Sequence, residues 1–119
     1  MSLWNEEKHS IAVEAGETLV ANRFGKISGS VVVLASAGEV AHGVIMGSAS
    51  SGEMVRLCRD GVVPVRVGSA ITVGQFVKPG ASGKAYPIVT SAQDGSAFAF
   101  TAGGADELVS VEPLKSMKY

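Results

Sequence analysis

Glu53-Met54-Val55-Arg56-Leu57-Cys58-Arg59-Asp60-Gly61-Val62-Val63-Pro64-Val65-Arg66-Val67-Gly68 holds the clearest local pattern in the chain. Up to Arg59, polar Glu53, Arg56 and Arg59 break up apolar neighbours at the short spacing of a pleated strand with one solvated face. Asp60-Gly61 then interrupts the run with a turn, since glycine takes a positive φ without the clash a Cβ brings. Val62 to Val67 resumes as a strand dominated by β-branched residues. Pro64 has no amide proton to give a ladder, which places that strand at an edge or a bulge. Short strands punctuated by glycine predict an all-β chain.

The same signals continue outward in both directions. On the N-terminal side, Glu17–Phe24 and Ile27–Leu34 read as two strands joined by a turn at Gly25-Lys26, and Val40–Met46 as a third before the polar loop Gly47–Gly52. On the C-terminal side the strand-sized runs are Ile71–Lys78, Ala85–Thr90, Ala97–Thr101 and Leu108–Glu112. They are interrupted at Gly74, Pro79–Gly83, Gly95 and Gly103-Gly104. This spacing is that of a small sandwich or barrel. At most one short helix fits, in Ser36–His42 or Thr90–Ala97.

The two sides also resemble each other. Gly16-Glu17-Thr18-Leu19-Val20 with Gly25-Lys26 lies over Gly74-Gln75-Phe76-Val77-Lys78 with Gly83-Lys84, and Ser51–Leu57 lies over Ala105–Val111. An offset of roughly 54 to 58 residues is long for a solenoid unit and suits two pseudo-repeated halves of one domain.

Composition narrows the class. A chain of 119 residues, 46% hydrophobic and 18% charged, is one folded domain and not a disordered segment. Valine and alanine dominate and aromatics reach only 6%, so each buried side chain removes little area from water and association would add stability. A net charge of −1 gives no broad attraction to nucleic acid. Cys58 is the single cysteine, which rules out an internal disulfide. No run approaches the roughly 20 apolar residues of a membrane helix, and Met1 to Ser10 does not read as a signal peptide.

Little in the sequence reads as chemistry, and we expect no catalytic, cofactor or metal site. His9 and His42 have no ligand partners at metal-binding spacing. A hydrolase pairing His42 with a serine lacks an identifiable orienting group. Cys58 sits in an alternating strand as a small hydrophobe. Gly25-Lys26 and Gly83-Lys84 are not followed by the Ser or Thr of a phosphate loop. Glu6-Glu7 and Asp106-Glu107 are neighbours that point to opposite faces if extended. Leu3, Trp4, Ile11 and Val13 are instead the candidates for an interface, because a large aromatic such as Trp4 makes a good anchor.

Several of these segments together resemble a known family. Ala15-Gly16-Glu17, Gly25-Lys26, Gly43-Val44-Ile45, Gly52-Glu53-Met54-Val55 and Gly61-Val62-Val63-Pro64-Val65 are followed by Ala70–Val77, Gly83-Lys84-Ala85 and Glu107–Val111. This running order, from about Val13 to Val111, is similar to that of the capsid cement or head decoration proteins of tailed bacteriophages. The resemblance implies a non-enzymatic structural protein, made in the host cytoplasm and carried on the outer capsid surface of the virion, where it bridges major capsid proteins. It also implies self-association, as a trimer more often than a dimer, without nucleic acid or membrane partners. The implied organisation is an extended N-terminal arm at 1–13, a β-domain at 14–112 and a tail at 113–119. The competing reading is a carbohydrate-binding or adhesin module on a virion or other large assembly.

Overall fold

The alternation at 53–59 forms a strand, and what covers its two faces organises the molecule. In the computed structural model, which describes residues 9–113 apart from 38, 40 and 89–96, this strand is β5 (Met54–Asp60). Leu57 points into one apolar cluster and Cys58 into another, so both are fully buried and the alternation breaks at this pair.

The described residues form ten strands in two sets of five. β1 (His9–Ala15), β2 (Arg23–Ser28), β3 (Val31–Leu34), β4 (Gly43–Ile45) and β5 close a barrel in the order β1-β3-β2-β4-β5. β6 (Val63–Arg66), β7 (Phe76–Pro79), β8 (Ala85–Pro87), β9 (Ala97–Ala99) and β10 (Leu108–Pro113) form a second sheet in the order β6-β10-β9-β7-β8. The chain is all-β, as the sequence predicts. Asp60-Gly61, with Gly61 at φ +96°, carries it from one set to the other and does not make a hairpin. Pro64 lies on the edge strand β6, where its missing amide proton costs no central ladder.

The halves repeat each other strand for strand. β1 pairs with β5 as β6 pairs with β10, β2 with β3 as β7 with β8, β2 with β4 as β7 with β9, and β4 with β5 as β9 with β10. The parallel seam closing the barrel, Glu14↔Val31 and Ala15↔Val32, returns in the second half as one parallel bridge, Val67↔Ala85. Leu19 and Ala49 exchange backbone hydrogen bonds of 2.8 and 3.1 Å, as Ile71 and Gly103 do at 2.9 and 3.0 Å.

These bonds correct the register read from sequence. The Gly16 N–H donates to Val32 O (2.9 Å) and the Gly68 N–H to Ala85 O (2.8 Å), so Gly16 corresponds to Gly68 and not to Gly74. Gly74, at φ +90°, corresponds to Asn22 at φ +66°, whose N–H reaches Ile45 O as that of Gly74 reaches Ala99 O. The overlay of Ser51–Leu57 on Ala105–Val111 holds, since Ala15 and Glu53 pair as Val67 and Glu107 do.

Gly25-Lys26 is not a turn. Both residues lie inside β2, and the chain reverses at Gly29-Ser30. Gly25 sits opposite Gly43 on β4, where a Cβ on Gly43 would come within 2.5 Å of the Cys58 carbonyl oxygen. Glycine there meets a steric demand of the narrow barrel, which the sequence pattern mimics as a turn. The expected strand Glu17–Phe24 is correspondingly displaced: of 17–22, only Leu19 makes a bridge, and the ladder begins at Arg23. Gly83-Lys84 does lie at a turn, since Gly83 ends the 3-10 turn Ala81–Gly83 and Lys84 follows it. Ser36–His42 holds no helix among its described residues, and 90–96 lies outside them.

Two apolar clusters result. The smaller fills the barrel with Leu19, Val32, Ile45, Val55 and Leu57 among others. The larger joins the halves: Phe24, Ala35, Ala41, Val44 and Cys58 of the first pack with the interior of the second, including Val63, Val65, Val77, Val109 and Val111. Polar contacts flank that junction. The Arg66 N–H donates to Asn22 O (2.9 Å), Asn22 Nδ2 to Pro64 O (3.2 Å) and Arg23 Nη1 to Ser82 O (3.0 Å).

Candidate interaction surface

His42, Cys58, Lys26, Lys84, Asp106 and Glu107, weighed in the sequence as reactive or ligand-binding groups, are all engaged in holding the fold. His42 Nδ1 accepts the Ile27 N–H at 2.9 Å, which ties the β3–β4 connection to β2. Cys58 is buried between the halves. Lys26 bonds Glu39 (2.7 Å) and Lys84 bonds Asp106 (2.9 Å), so neither Gly-Lys pair presents a free ammonium to an anion. The Lys26 ammonium, helped by the Ser36 N–H, holds the Glu39 carboxyl below its usual range. Lys84 does the same for Asp106, by hydrogen bond first and charge second. Glu107 folds back to accept the Gly104 N–H at 2.7 Å.

That last contact belongs to a recurring turn that the sequence reading missed. Ser36 and Glu39, Ser50 and Glu53, Thr72 and Gln75, and Gly104 and Glu107 each pair the same way. The backbone N–H of the first residue donates to the side-chain oxygen of the fourth, and the fourth returns its own N–H to the first carbonyl. Gly52, Gly74 and Asp106 take the third position with φ of +92°, +90° and +67°, the left-handed residue that a type II turn requires. In the first three the written signal is Ser or Thr, any residue, Gly, then Glu or Gln, which resembles a helix capping box without a helix, while the fourth has Gly at the first position and Asp at the third.

The expected interface residues separate. Leu3 and Trp4 lie outside the described residues. Residues 9–13, the end of the segment read as an arm, lie in β1 and pair with β5, while Pro113 ends β10. Ile11 is 39% exposed, whereas Val13 is half-buried against the barrel's apolar cluster.

A row of exposed aromatic rings lies elsewhere on the surface. Phe76 and Phe98 face each other across the β7–β9 ladder with ring centroids 5.4 Å apart, and Phe100 stands 5.3 Å beyond Phe98, both contacts edge-to-face. Phe76 is 50% and Phe100 43% exposed. On the same half, Tyr86 borders an open depression of about 370 Å³, with Lys78, Ser69 and Ala37 also at its wall. No group of three or more His, Cys, Asp or Glu able to hold a metal occurs among the described residues. The arrangement can bind an apolar surface.

Known proteins place the architecture. The chain is similar in fold to a phage head fiber base. The crystal structure of the head fiber gp8.5 N base of bacteriophage phi29 superposes with a TM-score of 0.68 at 19% identity, covering 94% of this chain and 98% of that one. At that identity the likeness is one of fold. No protein-family model and no curated protein sequence matches the chain.

Proposed function

We propose that the chain is a structural protein of a bacteriophage head, which binds the outer surface of the capsid and bridges neighbouring major capsid proteins. The observation that carries this reading is the likeness in fold to the phi29 head fiber base over 94% of the chain. The distribution of side chains supports it. His42, Asp106 and Glu107 serve a strand contact, an ion pair and a turn, and Cys58 is buried in the apolar cluster, while aromatic rings stand on the surface. The role proposed is a mechanical one. Copies associate with one another, as trimers in preference to dimers, and Leu3 and Trp4 contribute to attachment. Many copies on one lattice turn a modest contact into a stable one.

Co-sedimentation with expanded capsids lacking this protein tests the reading. Saturable binding with a fixed copy number per capsid is the expected result. Absence of saturable binding overturns it.

A further inference from the structure

The repeat makes it possible to ask what each half does with the same surface. Phe24, Val44 and Cys58 stand side by side across β2, β4 and β5, and all three are fully buried. Met46, next on that face, packs against the same cluster. Their counterparts in the second half are Phe76, Phe98, Glu112 and Phe100. Phe76 pairs with Phe98 and Phe98 with Glu112, as Phe24 pairs with Val44 and Val44 with Cys58. The Phe100 N–H bonds Ser110 O at 2.8 Å as that of Met46 bonds Arg56 O at 2.9 Å. The first row is covered by the second half of the chain. The second row is the exposed phenylalanine ladder.

The complementary surface is duplicated as well. Val63 is 2% exposed, within the cluster that joins the halves. It pairs with Val111 in β10 as Ile11 pairs with Leu57 in β5, and Ile11 is 39% exposed. Thus Phe76, Phe100 and Ile11, the counterparts of Phe24, Met46 and Val63 at the junction, are partly exposed.

We infer that the Phe76–Phe98–Phe100 face receives the first half of a second copy of this chain, around Ile11, in a head-to-tail contact that repeats the junction between the halves. This rests on the self-association proposed above and names its surfaces. A contact between two different patches closes into a ring when the rotation allows, which a trimer satisfies. An aromatic row of this kind supplies the anchors on which interfaces depend.

Sedimentation velocity over a concentration series reads the outcome. Wild-type chain is expected to self-associate, and Phe98→Asp and Ile11→Asp each to weaken that association at least about thirty-fold, with unchanged circular dichroism. Because the two substitutions break opposite sides, mixing the variants restores one intact contact and gives a dimer that grows no further. Phe100→Asp serves as a second lesion of the ring face should Phe98→Asp unfold. Association in the wild type that survives both ring-face substitutions overturns the assignment of this face alone. If capsid binding is then lost, the face belongs to the capsid protein. A wild-type chain that stays monomeric overturns self-association too, while capsid binding is scored separately by co-sedimentation.

Discussion

Phe24 and Phe76 occupy the same place in two copies of one topology, and one is fully buried while the other is half exposed. The difference lies in what packs over them, since strand order and pairing around each are alike. A repeated unit therefore offers an internal control in which local structure is held constant and burial changes.

The largest expected effect tests that contrast directly. Phe24→Ala empties a position in the cluster joining the halves and should cost about 3–5 kcal/mol, the usual range for a buried phenylalanine. Phe76→Ala loses one edge-to-face neighbour and part of its contact area, about 1 kcal/mol. Urea unfolding of the two variants at a concentration where the chain is monomeric checks this, and equal losses would break the comparison.

Glu53→Ala and Glu107→Ala probe a feature the halves share. Each removes the side-chain acceptor of a turn amide, and each should cost roughly 0.5–1.5 kcal/mol. Near-equal shifts in denaturation midpoint are expected; a strongly unequal pair would show that the two turns carry different loads.

Acid should produce the smallest effect. Glu39 and Asp106 are both held below their ordinary values in the folded chain, so the unfolded chain binds more protons in that interval and stability rises with pH. The contribution is complete above about pH 5, clear of the ordinary carboxylate values of the unfolded chain, and is lost as pH falls through the lowered folded values. Both pairs reach solvent, so the slope is shallow and weakened by salt. Thermal melts in acid on wild type and Lys26→Met should differ in slope, with the part owed to Glu39 missing from the variant.

Much of the fold was legible because short β-branched runs between glycines have few other solutions. The sequence distinguished poorly among the jobs glycine does. Gly61 turns the chain between the halves, whereas Gly25 and Gly43 make room inside a barrel, and Gly-Lys reads alike in both settings. The repeat was visible, but it was aligned on those ambiguous glycines and slipped in its first part. Its second part held because Glu53 and Glu107, which it pairs, each answer a specific turn amide. Of the candidate interface residues, Ile11 reaches solvent and Val13 packs inward. The phenylalanine row escaped notice because Phe76, Phe98 and Phe100 come together only through strand pairing and a solvent-facing register.

The two halves also differ in how they are sealed. The barrel is joined at its parallel seam by two successive pairings, whereas among the described residues the second sheet meets itself only at the bridge between Val67 and Ala85. Opening the second half along that edge would break a single bridge, where opening the first would break a ladder.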